Sequence, residues 1–274
     1  MKISFVILTW NSADHINNCI ESIIYNLGKD EIEYEIIVVD NGSTDSTLDW
    51  LKKFSKIYSS FFYFIPMGHN AGTTYSRNVA LKRARGEYIA IVDSDIILTS
   101  NIFPHLIHFL KNNPIVGLIS PKLFYKDGRY QKSTDNFPTF FSKLSRYFFL
   151  KSMETSEQTN QVLSEPCCVD YAISAFWLLP AHVIHKVGLL DENIFYAPED
   201  VDYCLRVWKS GFAVVHYPAL TAIHDAREIS RGFRLNLAFF SHLKGLFYFF
   251  AKHRYLFARP AYGERFPLKE LCVE

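Results

Sequence analysis

The strongest constraint on this chain is an alternation. Four continuous apolar runs, residues 3–9, 34–39, 61–65 and 87–92, are separated by stretches of helical periodicity. Runs without apolar–polar alternation are what strands covered on both faces require. Between the first two, Ile16, Ile20, Ile23 and Ile24 fall at helical spacing within residues 13–27, with Asn11-Ser12 as the expected cap. Asn41-Gly42-Ser43-Thr44-Asp45 turns the second run into a helix over 47–54, with Asp45 as a capping residue. Asn70-Ala71-Gly72 opens a helix through 76–84 that Arg85-Gly86 stops. This order predicts an α/β fold, a Rossmann-like and mainly parallel central sheet with helices on both faces. Ligands bind such sheets at the carboxyl ends of the strands. Thr9, Asp40 and Asp93 each stand at such an end, so topology alone brings them to one crevice.

The second half is less regular. Helices are expected at 102–110 and 201–209, and strands at 116–123, 172–179 and 212–216. A loop over 217–223 follows the last strand, and the polar, aperiodic residues 151–166 read as a mobile loop. Residues 235–257 are rich in Phe, Leu and Tyr, interleaved with His242, Lys244, Lys252, His253 and Arg254. A basic aromatic helix of this kind can lie in a membrane interface, or pack on its own domain with snorkelling lysines.

Composition narrows the partners. Formal net charge is +1, from 29 Lys and Arg against 28 Asp and Glu, which leaves no whole-chain footprint for nucleic acid. An anionic ligand must therefore be held by local charge or by a metal. Five scattered cysteines, two of them the adjacent Cys167 and Cys168, match neither a zinc pattern nor a disulfide scaffold. They are expected to be reduced thiols of a cytoplasmic protein. The short apolar start is no signal peptide, and no segment approaches the roughly 20 apolar residues of a membrane span.

The chemistry concentrates at two places. Asp93-Ser94-Asp95 sets two carboxylates one residue apart at a strand end, where both can reach one hard divalent cation. Mg²⁺ favours such a partial protein shell completed by phosphate oxygens, and it neutralises a departing diphosphate. Asp40 could meet a nucleotide base or ribose from the neighbouring strand end. In the second half, Glu199-Asp200-Val201-Asp202 opens a helix, whose positive end keeps a carboxylate ionised. The preceding Phe195-Tyr196-Ala197-Pro198 has the aromatic character of a sugar-binding wall. The plain alternative for the three acids is an N-terminal helix cap.

These segments together resemble the family 2 glycosyltransferases of the GT-A fold. The resemblance rests on residues 6–11, on Val39-Asp40-Asn41-Gly42-Ser43-Thr44-Asp45, on Asn70-Ala71-Gly72 with Ser76-Arg77-Asn78, on Asp93-Ser94-Asp95, and on residues 199–206 with Lys209-Ser210-Gly211-Phe212. Five ordered matches at family-like spacing carry weight that none has alone. The resemblance implies a catalytic domain over 1–225, with a nucleotide-sugar half (1–100) and an acceptor half (101–225), and a C-terminal helical extension over 226–274. It implies that Thr9, Asn11, Asp40, Arg77, Asp93 and Asp95 bind a nucleotide-sugar. It also implies that Asp95, Asp93 and His224 hold Mg²⁺ or Mn²⁺, and that Asp200 is the base, with Glu199 orienting it or the acceptor. Trp177, Tyr196 and Asp202 would line the acceptor site, with Asp170 and Tyr171 as weaker candidates. Arg227, Arg231 and Arg234 follow His224 at helical spacing and could clamp a diphosphate.

The implied reaction is an inverting, metal-dependent transfer of one sugar from a UDP- or dTDP-sugar to a glycan acceptor. That acceptor would be lipid-linked, in bacterial surface polysaccharide assembly at the inner membrane face. The second half is most similar to the rhamnosyltransferase-like group. That group carries Asn-Pro-Asp where this chain has Asp93-Ser94-Asp95, which weakens rhamnose as donor sugar. The chain lacks the Gln-x-x-Arg-Trp signature of processive synthases, which favours single addition. A sugar nucleotidyltransferase would want a Gly-rich basic loop after the first strand, where Thr9-Trp10-Asn11-Ser12 stands instead. A non-catalytic nucleotide- or glycan-binding module is the remaining alternative.

Overall fold

The computed structural model describes residues 2–28, 32–139, 165–226, 237–260 and 262. Most of the expected 151–166 loop, together with Arg227, Arg231, Arg234 and Cys272, lies outside them. In the first half the expected alternation holds: β1 (Lys2–Thr9), α1 (Ile16–Leu27), β2 (Glu33–Asp40), α2 (Thr47–Ile57), β3 (Phe62–Pro66), α3 (Thr73–Leu81) and β4 (Tyr88–Asp93). These strands lie parallel in the order β3-β2-β1-β4. Register pairs Thr9 with Asp40 and Leu8 with Asp93, so the three strand ends finish level.

One helix start differs from expectation. The helix α1 begins at Ile16, and the Ser12 carbonyl, not its side chain, accepts from the His15 and Ile16 amides at 2.9 Å. The Ser12 hydroxyl instead donates to the Trp10 carbonyl and accepts from Ser94 Oγ at 2.9 Å, tying the β1 loop to the loop after β4. Helix α3 begins at Thr73, directly after the expected opening Asn70-Ala71-Gly72, where Asn70 Oδ1 accepts from the Gly72 amide at 3.0 Å and closes the turn. Gly72 has φ +87°, and a Cβ on it would stand 2.6 Å from the Phe195 carbonyl oxygen. Asp45 does serve α2, accepting from the Thr47 amide at 3.0 Å.

The second half adds β5 (Ile96–Ile97), α4 (Phe103–Asn112), β6 (Val116–Phe124), β7 (Tyr130–Gln131), β8 (Thr134–Asp135), β9 (Cys167–Cys168), β10 (Tyr171–Ala172), β11 (Phe176–Pro180), α5 (Ala181–Val187), α6 (Glu199–Lys209), β12 (Ala213–His224) and α7 (Leu237–His253). The sheet continues β4-β11-β6-β12-β5, with β11 antiparallel to both of its neighbours. The expected loop over 217–223 is strand: β12 slips register between Tyr217 and Thr221 and runs on to His224. It can do so because β6 pairs it on one side and β5 on the other, where His224 faces Ile96.

Both halves share one core, in which Phe5, Phe103 and Phe176 pack in a row with ring centroids 5.1 and 5.9 Å apart. Burying each such ring stabilises the fold by about 1.5–3 kcal/mol. Helix α7 joins this core through Phe249 and Phe250. Lys252 Nζ lies 2.6 Å from Asp191 Oδ2 and 2.6 Å from Asp202 Oδ1, and Gly245 sits so close to Ala197 that a Cβ would reach its carbonyl at 2.1 Å. The described part of 235–257 therefore packs on the domain by one face, while Leu243, Phe247, Leu256 and Phe257 stay exposed. Among the described residues no helix is long and apolar enough to cross a membrane. Cys19, Cys167 and Cys204 are free thiols.

Candidate active site

The level strand ends hold buried polar groups whose hydrogen bonding is incomplete. Asp40 is 1% exposed. Its Oδ2 accepts from the Ser43 amide at 3.1 Å, while Oδ1 has no partner. Thr9, its register partner, has an equally unpartnered buried hydroxyl. A buried polar atom left unmade costs about 1–3 kcal/mol, so a ligand with matching donors and acceptors would gain by meeting these two. Asn11, at φ +50°, ties the β1 loop to the β2 loop: its Oδ1 accepts from the Thr44 amide at 2.8 Å, and its own amide donates to Ser43 Oγ at 2.9 Å.

Next to these groups, Asp93, Asp95 and His224 each offer a ligand atom, all within 4.8 Å of one another. Three separate features bring them together. Asp93 ends β4, Asp95 follows in the turn that Ser94 fastens to Ser12, and the register of β12 on β5 delivers His224. The Asp225 amide donates to the Asp95 carbonyl at 2.9 Å and locks that register. His224 Nε2 stands 3.2 Å from Asp95 Oδ1. Burial works to raise the Asp95 pKa, but hydrogen bonding and charge from His224 outweigh it and hold the carboxyl below its usual range. Burial likewise works to lower the His224 pKa, and Asp95 more than offsets it. Burial raises the Asp93 pKa against the pull of Arg77. Two carboxylates with one imidazole are a donor set suited to Mn²⁺ and to Mg²⁺.

Arg77 links this cluster to the acids of α6. Its guanidinium, 3% exposed, is hydrogen-bonded to Asp93 Oδ1, to Ser174 Oγ at 2.7 Å and to Glu199 Oε1 at 3.3 Å. Arg77, expected near the base or the diphosphate of a nucleotide-sugar, is a buried strut between the carboxyl groups of Asp93 and Glu199. Glu199 is buried, and that burial with the nearby Asp200 charge pushes its pKa up to about 8. Asp200 is the more accessible acid of the pair, with Oδ1 accepting from the Val201 amide at 2.8 Å at the helix start. Helix α3 holds this region to the sheet. Asn78 pairs twice with the backbone of Leu190, the Thr73 amide donates to the Phe195 carbonyl at 2.7 Å, and Thr74 Oγ1 donates to the Ile194 carbonyl at 2.6 Å.

Two expected acceptor residues are placed elsewhere. Trp177 is 0% exposed, stacks on Tyr203 at 5.7 Å and donates its indole N–H to the Ala172 carbonyl, so it has no face for a sugar. Asp202 is 1% exposed and contacts Arg206 at 2.8 Å, Lys252 at 2.6 Å and His253 at 2.8 Å. Its carboxylate fastens α7 to α6. Asp170 accepts from the Phe137 amide at 2.7 Å, and Tyr171 is buried against Phe137, so both support the core. Tyr196, with Phe195, is exposed just ahead of α6, in keeping with a wall residue.

Sequence reasoning missed Ser174, Asn41 and Gln131. Asn41 Oδ1 accepts from the Ala71 amide and from Ser76 Oγ, both at 2.8 Å, joining the β2 loop to α3. Its place inside the Asp40-Asn41-Gly42 motif was a usable signal. Ser174 and Gln131 act across 97 and 93 residues of sequence, and nothing local marks them.

Comparison with known proteins gives the family and the fold. The profile described as Glycosyl transferase family 2 matches residues 4–169. A poly(ribitol-phosphate) beta-glucosyltransferase of Bacillus spizizenii is 41% identical over 113 residues, which is 41% of this chain and 18% of that protein. The rhamnosyltransferase WbbL of Escherichia coli is 28% identical over 261 residues, covering 92% of this chain and 93% of its own. Among solved structures, GalNAc-T7 with UDP, GalNAc and Mn²⁺ superposes with a TM-score of 0.67 at 14% identity, over 92% of this chain and 48% of that one. The mannosyltransferase PcManGT of Pyrobaculum calidifontis, in complex with GDP-Man and Mn²⁺, gives 0.62 at 18% identity, over 94% and 65%. The fold is that of the GT-A transferases. With the profile spanning more than half of its length, the chain belongs to glycosyl transferase family 2.

Proposed function

We propose that this enzyme is an inverting, divalent-cation-dependent transferase that moves one sugar from a UDP- or dTDP-sugar to a glycan acceptor. The observation that carries the reading is the adjacency of the unpartnered Thr9 Oγ1 and Asp40 Oδ1 to the Asp93, Asp95 and His224 cluster. A nucleotide base that donates an N–H to Asp40 Oδ1 would place its diphosphate toward the two carboxylates. A cation held there by Asp95, Asp93 and His224 would supply charge neutralisation of the leaving diphosphate. GalNAc-T7 with UDP and Mn²⁺, and PcManGT with GDP-Man and Mn²⁺, support both parts of this assignment.

Asp200 takes the proton of the acceptor hydroxyl as its oxygen bonds to the anomeric carbon. The carbon–oxygen bond to the diphosphate breaks on the opposite face, and its electron pair leaves with the phosphate, so configuration inverts. Glu199, neutral at pH 7, orients this edge through Arg77 and Ser174. Tyr196 offers its ring to the acceptor. The acceptor is read as lipid-linked, in bacterial surface polysaccharide assembly. The named functions of relatives support this: a poly(ribitol-phosphate) glucosyltransferase, and the glucosyltransferase WfaP, whose name specifies a diphosphoundecaprenol substrate. Residues 1–225 would form the catalytic unit, and 226–274 an extension that contacts the membrane surface peripherally. Exposed Phe247, Leu243 and Phe257 beside Lys244 and Arg254 suit that contact.

Thermal shift with UDP, dTDP, GDP and their sugars, each with and without Mn²⁺, tests the reading. A Tm rise for a uridine or thymidine donor that needs Mn²⁺ is expected, because only the folded state binds the ligand. The metal-dependent part of the rise should vanish in Asp95→Ala. A native response in that variant would refute the cation site.

A further inference from the structure

His224 is held between two different acceptors. Nε2 faces Asp95 Oδ1 at 3.2 Å, and Nδ1 lies 2.8 Å from Gln131 Oε1. An amide oxygen only accepts, so the Nδ1 contact is a hydrogen bond only when that nitrogen carries its proton. Gln131 is buried, and its strand is fixed opposite the site: β7 pairs antiparallel with β6, setting Gln131 across from Leu123, while β6 pairs Leu123 with Ala222 of β12. The hairpin that returns β7 is closed by the Tyr125 amide on the Arg129 carbonyl at 2.8 Å and turns through Gly128 at φ +85°. The amide therefore approaches the imidazole from a framed position.

We propose that Gln131 is a positioning residue for the cation site, holding the proton on Nδ1 of His224 so that Nε2 is the nitrogen presented beside Asp95. This rests on the cation-binding reading of Asp93, Asp95 and His224. An imidazole can ligate through one nitrogen only if the other keeps its proton, and the partner of that other nitrogen decides which is which. Without Gln131 Oε1, a buried Nδ1–H would stand unmet, and the ring could relieve this by turning over or shifting its proton. Either change removes Nε2 from its place beside Asp95. The motif around Asp93-Ser94-Asp95 gives no hint of this partner, because the contact spans 93 residues.

Two measurements test it on the full chain. The first is Mn²⁺ affinity, read from the electron paramagnetic resonance signal of free Mn²⁺ in wild type, His224→Ala, Gln131→Leu and Gln131→Glu. Removal of an outer-shell partner of this kind is expected to weaken Mn²⁺ binding about 10–100-fold in Gln131→Leu, and Gln131→Glu, which keeps an acceptor, should restore it. If His224→Ala binds Mn²⁺ as wild type does, the cation reading itself fails. If His224→Ala is weakened but Gln131→Leu is native, the role of Gln131 alone is overturned. The second measurement needs no substitution at Gln131: ¹⁵N correlation spectra of the histidine rings with diamagnetic Zn²⁺ in place of Mn²⁺. The expected result is a protonated Nδ1 and a metal-bound Nε2 on His224. A protonated Nε2 overturns the proposal, even if the Gln131 variants lose affinity or fail to fold.

Discussion

Asp40 and Asp202 are equally buried, each 1% exposed, yet their surroundings are opposite. Asp202 sits at the α6–α7 junction with Arg206, Lys252 and His253 around it, and every contact is made inside the protein. Asp40, at the end of β2, leaves Oδ1 with no partner, and Thr9 beside it does the same. Burial alone therefore does not separate the two acids. What distinguishes them is whether the fold has completed the hydrogen bonding. The carboxyl edge of the parallel strands is left incomplete, while Asp191 and Asp202 of the second half hold α7 to the domain through Lys252. Asp200 differs from its neighbours in burial only: it is half-buried where Glu199 and Asp202, in the same first turn of α6, are buried.

The sharpest way to break this contrast is to remove the half-buried acid of α6. Asp200→Asn should lower the transfer rate about 10²–10⁴-fold, the contribution of a general base, with donor affinity in the thermal-shift assay unchanged. Near-native transfer would place the base elsewhere and return Asp200 to the role of a helix cap.

Asp202 should respond in the reverse manner. Breaking a buried ion pair by removing one partner costs about 3–5 kcal/mol, so Asp202→Ala should lower Tm clearly. In chemical denaturation it should also free α7 before the rest of the domain. The folded pKa of Asp202 is lowered: burial opposes this, but His253, Arg206 and Lys252 prevail. Its contribution is therefore present above the unfolded carboxylate value of about 4 and is lost as pH falls through the lower folded value. An Asp202 variant with native Tm and a raised acceptor KM would instead restore the acceptor-binding role that sequence suggested.

Asp40→Asn sharpens the other side. The Ser43 amide needs an acceptor, so the Asn oxygen takes that place and its NH₂ turns to where Oδ1 stood. A base N–H would then meet a donor, and donor affinity should fall by about tenfold or more, since an unmet pair costs about 1–3 kcal/mol. Tm without ligand should not fall, because no native partner is lost. A drop in Tm with unchanged donor binding would show Asp40 to be structural, like Asp202.

Strand ends were legible because a level parallel sheet needs only apolar runs and the polar residues that stop them. Thr9, Asp40 and Asp93 follow from that pattern with no knowledge of side-chain contacts. His224 enters the candidate site through resemblance, and its placement was not legible: 217–223 has a mixed pattern, yet it is strand because β6 and β5 flank it. Trp177 and Asp202 show the limit of local reading. Whether an aromatic ring or an acid near a site faces outward depends on Tyr203 for one and on Lys252 and His253 for the other. The last two lie about 50 residues from Asp202, beyond any periodicity.

The smallest expected effect belongs to Glu199, which stands between the two kinds of acid. It is buried like Asp202, but burial and the Asp200 charge outweigh the pull of Arg77 and leave its pKa raised to about 8. The folded protein thus holds a proton there that the unfolded chain releases near pH 4.3. Linkage fixes the sign: the stability tied to this proton is fully present below about 4.3 and is lost as pH rises through the folded value. Glu199→Gln replaces the neutral acid by a neutral amide of similar shape, and its carbonyl can still accept from Arg77. At neutral pH the variant should gain stability on the order of 1 kcal/mol, a Tm rise of about 2–4 °C for a chain of this size, with transfer changed little. Its Tm should also be flatter than wild type between pH 5 and 8, and calorimetry across that range reads the difference directly. A large loss of transfer in Glu199→Gln, with the stability gain intact, would mean that the ionised form serves the reaction, and would move Glu199 from the strut to the chemistry.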